Sequence, residues 1–85
     1  MVINETGGPD VLSWEIRDLG IPGPGEALIR HTAVGVNFTD IHRRRGDHHF
    51  PTPVPCGLGL EAAGIVAALG DGVEELNVGD RVAYA

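Results

Sequence analysis

Apolar and polar positions along this chain fall into short alternating runs, and glycine and proline break them before any run grows long. Val11 to Arg17 carries Val, Trp and Ile, residue types that suit a pleated surface, after a Gly7-Gly8-Pro9-Asp10 turn cluster. Leu19 to Gly25 reads as a loop, because Pro22 and Pro24 remove backbone donors and bar a helix. Glu26 to Val36 sets Leu28, Arg30 and Thr32 against Ile29, His31 and Ala33, the period of a strand, with a bend at Gly35. The alanines of Leu60 to Leu69 would allow a helix, but Gly64 within the run and Gly70-Asp71-Gly72 after it favour a strand. Asp80 to Ala85 opens a further strand.

Asn37 to Arg45 is the one segment with a helical pattern. Asn37 is a good N-cap residue. Phe38, Ile41, His42 and Arg45 recur at spacings of three and four, which places them on one face. Asp40 is expected to pair with Arg43 or Arg44, and Gly46 to stop the helix. Asp47 to Leu58 carries Pro51, Pro53 and Pro55 at alternate positions, so a stiff extended loop is expected there rather than a central strand.

Composition narrows the function. With 85 residues the chain has room for one small domain with a thin core. Its 13 glycines and 6 prolines agree with short strands and turns. Twelve acidic against six basic side chains give a net charge of −6, which repels nucleic-acid backbones and anionic membranes. No apolar run approaches the roughly 20 residues of a membrane span. Cys56 is the single cysteine, so no internal disulfide can form, and a reducing cytoplasm is the expected compartment.

Two motifs carry a family resemblance. The first is Cys56-Gly57-Leu58-Gly59-Leu60-Glu61-Ala62-Ala63-Gly64, continued by Gly70-Asp71-Gly72 and Val78-Gly79-Asp80-Arg81-Val82. The second is Gly35-Val36-Asn37-Phe38-Thr39-Asp40, about twenty residues upstream. Together they resemble the N-terminal, GroES-like part of the medium-chain dehydrogenase/reductases, and within it the zinc-free quinone oxidoreductase (zeta-crystallin-like) branch. The zinc-dependent branch has a His between the Gly and Glu of the first motif; here Leu60 stands there, and leucine offers no metal ligand. The resemblance implies a mainly β fold, a partial GroES-like barrel with one short helix. Residues 1–85 would then be a truncated GroES-like domain, the first quarter or so of a reductase whose Rossmann domain lies outside the chain. No G-x-G-x-x-G follows a strand here.

The same resemblance assigns candidate site residues. Asn37 occupies the place of a catalytic Cys in the zinc branch, and is expected near the nicotinamide; a plain helix cap is the competing role. His42 stands where the zinc-free family often carries Tyr near the cofactor, and His48 near a second such Tyr position, at the substrate. Imidazole keeps a flat ring and a hydrogen-bonding edge, with a reference pKa of about 6.5 in place of a phenol's value of about 10. Activity that varies between about pH 5 and 8 would follow if either ring touches substrate. The competing roles are a half-buried helix residue for His42 and a solvated loop residue for His48. His42, His48 and His49 lack zinc-ligand spacing, so no metal is expected. Arg43-Arg44-Arg45 could meet cofactor phosphates but also suits a solvated helix end. Glu61 is expected to make an ion pair or hydrogen bond within the barrel, and Cys56 to pack inertly.

The parent activity implied is hydride transfer from NADPH to a quinone or conjugated carbonyl, without zinc, in a cytoplasmic homo-oligomer. An enoyl-thioester reductase of the same superfamily, which shares the Asn-Phe-x-Asp motif, is a rival; a non-enzymatic GroES-like interaction module is another. Open strand edges are expected to drive the isolated chain toward dimers, swapped strands or aggregates.

Overall fold

The computed structural model describes residues 1–47 and 51–85. Its elements are β1 (Val2–Ile3), a 3-10 turn (Pro9–Val11), β2 (Leu12–Ser13), β3 (Ala27–Val34), α1 (Phe38–Arg45), β4 (Cys56–Gly57), β5 (Ala62–Leu69) and β6 (Arg81–Tyr84). The fold is mainly β with one short helix, as the sequence pattern implies. No closed barrel forms among the described residues; the strands make two separate three-stranded sheets. The chain gathers into two compact units, one of Met1–Arg17 with Val36–Leu60, the other of Asp18–Gly35 with Glu61–Ala85.

In the first unit β1 is the middle strand, flanked by β2 and β4, both antiparallel to it. Ile3 pairs with Leu12 on one side and Cys56 on the other and is 0% exposed, so this unit is built around one isoleucine. The strand expected over Val11 to Arg17 is reduced to Leu12–Ser13. The reason lies in its partner: β1 has two residues, so it offers two ladder positions and no more. Beyond them Trp14 and Ile16 stay exposed despite their β propensity. The proline-rich segment likewise ends by pairing, since Cys56–Gly57 forms an edge strand directly after Pro55. An edge is the place where a proline-flanked strand is tolerated.

In the second unit the order is β3-β5-β6, all antiparallel. The segment that could have been a helix, Ala62–Leu69, is the central strand. Ala62, Gly64 and Val66 alternate as its buried positions, with Val66 only 1% exposed. Gly64 decides the pairing. A Cβ at this position would collide with the backbone carbonyl of Arg30 and lie 2.8 Å from Ile29 Cγ2. β3 therefore approaches β5 more closely than any side chain permits. β3 does not hold strict alternation: its register shifts between Leu28 and Ile29 and again between His31 and Ala33. Gly25 and Gly70 close the far end, with Gly25 N–H donating to the Asp71 carbonyl at 2.8 Å and Gly70 N–H to the Glu26 carbonyl at 2.7 Å. Before β6, Asn77 N–H donates to Asp80 Oδ2 at 2.9 Å and Gly79 N–H to the Val66 carbonyl at 2.9 Å, which turns the chain back onto β5.

Gly64→Ala is expected to destabilise the chain by about 2 kcal/mol, because backbone rather than a flexible side chain must move. A denaturant titration followed by circular dichroism measures this, and an unchanged midpoint would refute the close-approach argument.

Candidate functional site

The polar residues of the second motif fall on α1 and its N-terminal end. Asn37 has extended backbone (φ −128°, ψ 158°) and sits at the N-cap, as its residue type predicts. Asp40 stands at the third helical position, which completes the residue pair of a capping box. The well-formed bonds of this box are backbone-anchored. Asn37 N–H donates to Asp40 Oδ2 at 2.9 Å, and Asp40 N–H donates to the Asn37 carbonyl at 3.0 Å. The Asn37 side chain faces the same N–H without reaching good capping geometry. Asp40 therefore does not form the expected pair with Arg43 or Arg44; its carboxylate is drawn to the helix head, where free N–H groups and the helix dipole favour a negative charge. Asp40 Oδ1 is buried and has no partner among the described residues.

Both arms of the box are in place, so the half-buried Asn37 side chain turns its oxygen to the Asp40 N–H, and its NH2 group is the part that the cap does not use. Val36 and Phe38 on either side of it are each 82% exposed. The expected face of Phe38, Ile41, His42 and Arg45 is thus not a core face at its first position. Phe38 instead stands in water beside a polar amide.

At the other end, Gly46 takes the left-handed conformation (φ 78°, ψ 16°) and its N–H donates to the His42 carbonyl at 2.9 Å. His42 Nδ1 lies 3.0 Å from Asp47 Oδ1, with both side chains half exposed. The carboxylate fixes one ring nitrogen, and the other edge meets no hydrogen-bond partner among the described residues. Five residues of helix separate His42 from Asn37, a rise of roughly 7.5 Å and a turn of about 140°, so the two do not share one stripe. His48 and His49 lie outside the described residues. Of the three arginines, Arg44 is taken up structurally: its Nε donates to the Gly7 carbonyl at 3.2 Å, while Gly7 N–H donates to the Arg44 carbonyl at 2.8 Å. The run is therefore not simply a solvated helix end. Cys56 is half-buried in β4 with a free thiol.

The second unit holds a group that residue types alone do not announce. His31 Nε2 and Tyr84 Oη are 2.8 Å apart, with ring centroids 5.8 Å apart. They come from the two outer strands and reach each other across β5, over the small residues Ala62 and Gly64. Their register positions, His31 opposite Gly64 and Tyr84 opposite Ala62, are the signal, but they become visible only once the strands are paired. Beside them an open trough of about 570 Å³ is lined by Val34, Gly35, Glu61, Ala62 and Tyr84 among others. Glu61 does not make the expected ion pair or side-chain hydrogen bond among the described residues. Its side chain lies across Gly35, where any Cβ would strike it, and its backbone carbonyl accepts from Gly35 N–H at 3.1 Å. Among the described residues the carboxyl that departs from its ordinary range is Glu15, held low by hydrogen bonds from Asn4 Nδ2 and Arg17 Nη2.

Because Asp40 makes the well-formed arm of the box, Asp40→Ala is expected to cost about 1 kcal/mol of stability, and Asn37→Ala no more than a few tenths. Parallel urea titrations of the two variants check this; equal losses would give Asn37 an equal share in the cap.

Comparison with known proteins agrees with the motifs. Residues 23–85 match the alcohol dehydrogenase GroES-like domain. A 2-haloacrylate reductase of Burkholderia sp is 46% identical over 84 residues, which cover 95% of this chain and 25% of that protein. A quinone oxidoreductase of Pseudomonas aeruginosa is 48% identical over 80 residues, 93% of this chain and 24% of the relative. Among solved structures, Escherichia coli quinone oxidoreductase complexed with NADPH superposes with a TM-score of 0.91 at 40% identity, covering 99% of this chain and 26% of that one. The chain thus spans about a quarter of the length of the relatives it matches. With the Asn37–Asp40 helix head and the glycine-bounded β5 in place, the chain belongs to the alcohol dehydrogenase GroES-like domain family, and its relatives include quinone oxidoreductases.

Proposed function

We propose that residues 1–85 are the opening part of the catalytic domain of an NADPH-dependent reductase that acts without zinc on quinones or conjugated carbonyl compounds. Similarity to quinone oxidoreductases, to a 2-haloacrylate reductase and to an NADPH complex supports the reaction class. The observation that carries the reading is the Asn37 amide, whose NH2 group is not used by the capping box and which is bracketed by exposed Val36 and Phe38. An uncharged amide with apolar neighbours fits a flat carboxamide-bearing ring: the amide meets the polar edge and the apolar side chains cover the face.

When bound, the nicotinamide supplies a hydride; the substrate takes it at an electron-poor carbon or a quinone oxygen, with a proton to balance. Asn37 then orients the cofactor edge. His42, steadied by Asp47, presents its free ring edge as a hydrogen-bonding group at the cofactor. His48 is assigned to the substrate side. Leu60 occupies the position that carries a metal-binding His in the zinc branch, so polarisation of the substrate falls to hydrogen bonds and a dry cavity. Enoyl-thioester reduction is the second reading, since it uses the same donor and an acceptor of the same electronic type. A cytoplasmic setting and a homo-oligomeric parent belong to the same proposal.

The test is NADPH oxidation by the complete polypeptide that contains this chain, offered a quinone, a conjugated enone, 2-haloacrylate and an enoyl thioester. Turnover is expected with the first two. Asn37→Ala is expected to lower kcat/KM roughly tenfold, the worth of about one hydrogen bond. Preference for the thioester would select the second reading. Absence of turnover with all four acceptors, or activity that requires zinc, would overturn the proposal.

A further inference from the structure

The end of α1 brings one carboxylate to one ring. Gly46, in the left-handed conformation, donates its N–H to the Arg43 carbonyl at 3.2 Å, and Asp47 N–H donates to the His42 carbonyl at 3.2 Å. These are the two backbone bonds of a Schellman stop. They fold the chain back so that Asp47 lies against the turn that carries His42. The carboxylate then meets the ring, Asp47 Oδ1 to His42 Nδ1 at 3.0 Å. Both side chains are half exposed, and two long flexible side chains so placed would hold each other weakly. Here both partners are short, and both spring from backbone that is itself bonded.

The contact has a chemical sense. An ionised carboxylate has lone pairs and no proton, so it only accepts, and Nδ1 must carry the hydrogen between the two groups. A neutral imidazole has a single N–H, so its Nε2 is then a bare lone pair. The basic residues of the last turn, Arg43, Arg44 and Arg45, carry donors only, and none competes with Asp47 for the Nδ1 hydrogen.

We infer that Asp47 is a positioning residue: it fixes the neutral His42 ring as the Nδ1–H tautomer. The outer edge then offers Nε2 as an acceptor and selects a ligand group that brings a hydrogen, an N–H or an O–H. The inference rests on the reductase reading only for the identity of that ligand. In that reading the matching group is the NH2 of the nicotinamide carboxamide, not its carbonyl.

The test uses the complete polypeptide that contains this chain, labelled with 15N in its histidines. Long-range proton–nitrogen correlation spectra report which ring nitrogen is bare. The His42 ring is assigned from its loss in His42→Phe, and the pH is raised until the ring shifts stop changing. The neutral His42 ring is expected to show hydrogen on Nδ1 and a bare Nε2. In Asp47→Ala it should return to the mixture of tautomers that an unpartnered ring adopts; the stop itself is made by backbone and survives the substitution. The same variant is expected to raise KM for NADPH roughly tenfold, the worth of about one hydrogen bond, with kcat little changed. A ring that carries its hydrogen on Nε2, or one with the same tautomer in Asp47→Ala, would overturn the inference whether or not the polypeptide is a reductase. An unchanged KM in a variant whose tautomer has switched would overturn the assignment of the ligand. Absence of turnover with every acceptor counts against the reductase reading alone, and the ring spectrum still decides the role of Asp47.

Discussion

The close approach of β3 to β5 at Gly64 is the constraint on which the second unit depends. A strand pair normally leaves room for a side chain on both partners; here the carbonyl of Arg30 occupies the space where a Cβ would be. That contact holds β5 as a strand although its alanines suit a helix. It also leaves the space above β5 low enough for His31 and Tyr84 to meet across it. Val66 is buried on the same face of β5 as Ala62 and Gly64, and the turn through Gly79 and Asp80 returns β6 onto it. A glycine in mid-strand weakens a strand taken alone. In this sheet it is the condition for the strand's neighbours to be in contact at all.

Much of this was legible in the residue pattern, and the failures have physical causes. The helix was readable because its signals are local: a capping residue, a periodic face and a terminating glycine lie within ten positions. β3, β5 and β6 were readable because each is long enough for its own alternation or glycine punctuation to show. The strand expected from Val11 to Arg17 was not readable, because its length is set by Val2–Ile3, a segment too short to advertise itself. The two register shifts of β3 are likewise a property of the pair rather than of either strand.

The site shows the same division. The family resemblance singled out Asn37 and His42, but could not say what each is bonded to. Asp40 had two favourable options, an arginine three or four residues on or the N–H groups at the helix head. Charge counting favours the first. The second wins because the Asn37 N–H would otherwise lose its partner, and an exposed ion pair on a helix is worth only about 0.3–0.5 kcal/mol. Glu61 was misread for a related reason. Its side chain has no cation within reach among the described residues, and it lies instead against the bare backbone of Gly35.

Gly35 joins these threads. It ends β3, accepts the Glu61 side chain where no Cβ could stand, and donates its N–H to the Glu61 carbonyl at 3.1 Å. The motif that begins with it places Asn37 two residues later in the chain. The backbone that leads into the capping box is therefore fixed at its start by a backbone bond and at its end by Asp40. A residue at a helix head is rooted when both arms of its capping box are made, and Asn37 and Asp40 make both. Gly35 and Asp40 thus each tie down backbone within one short motif, the first through the Glu61 carbonyl and the second through the Asn37 N–H.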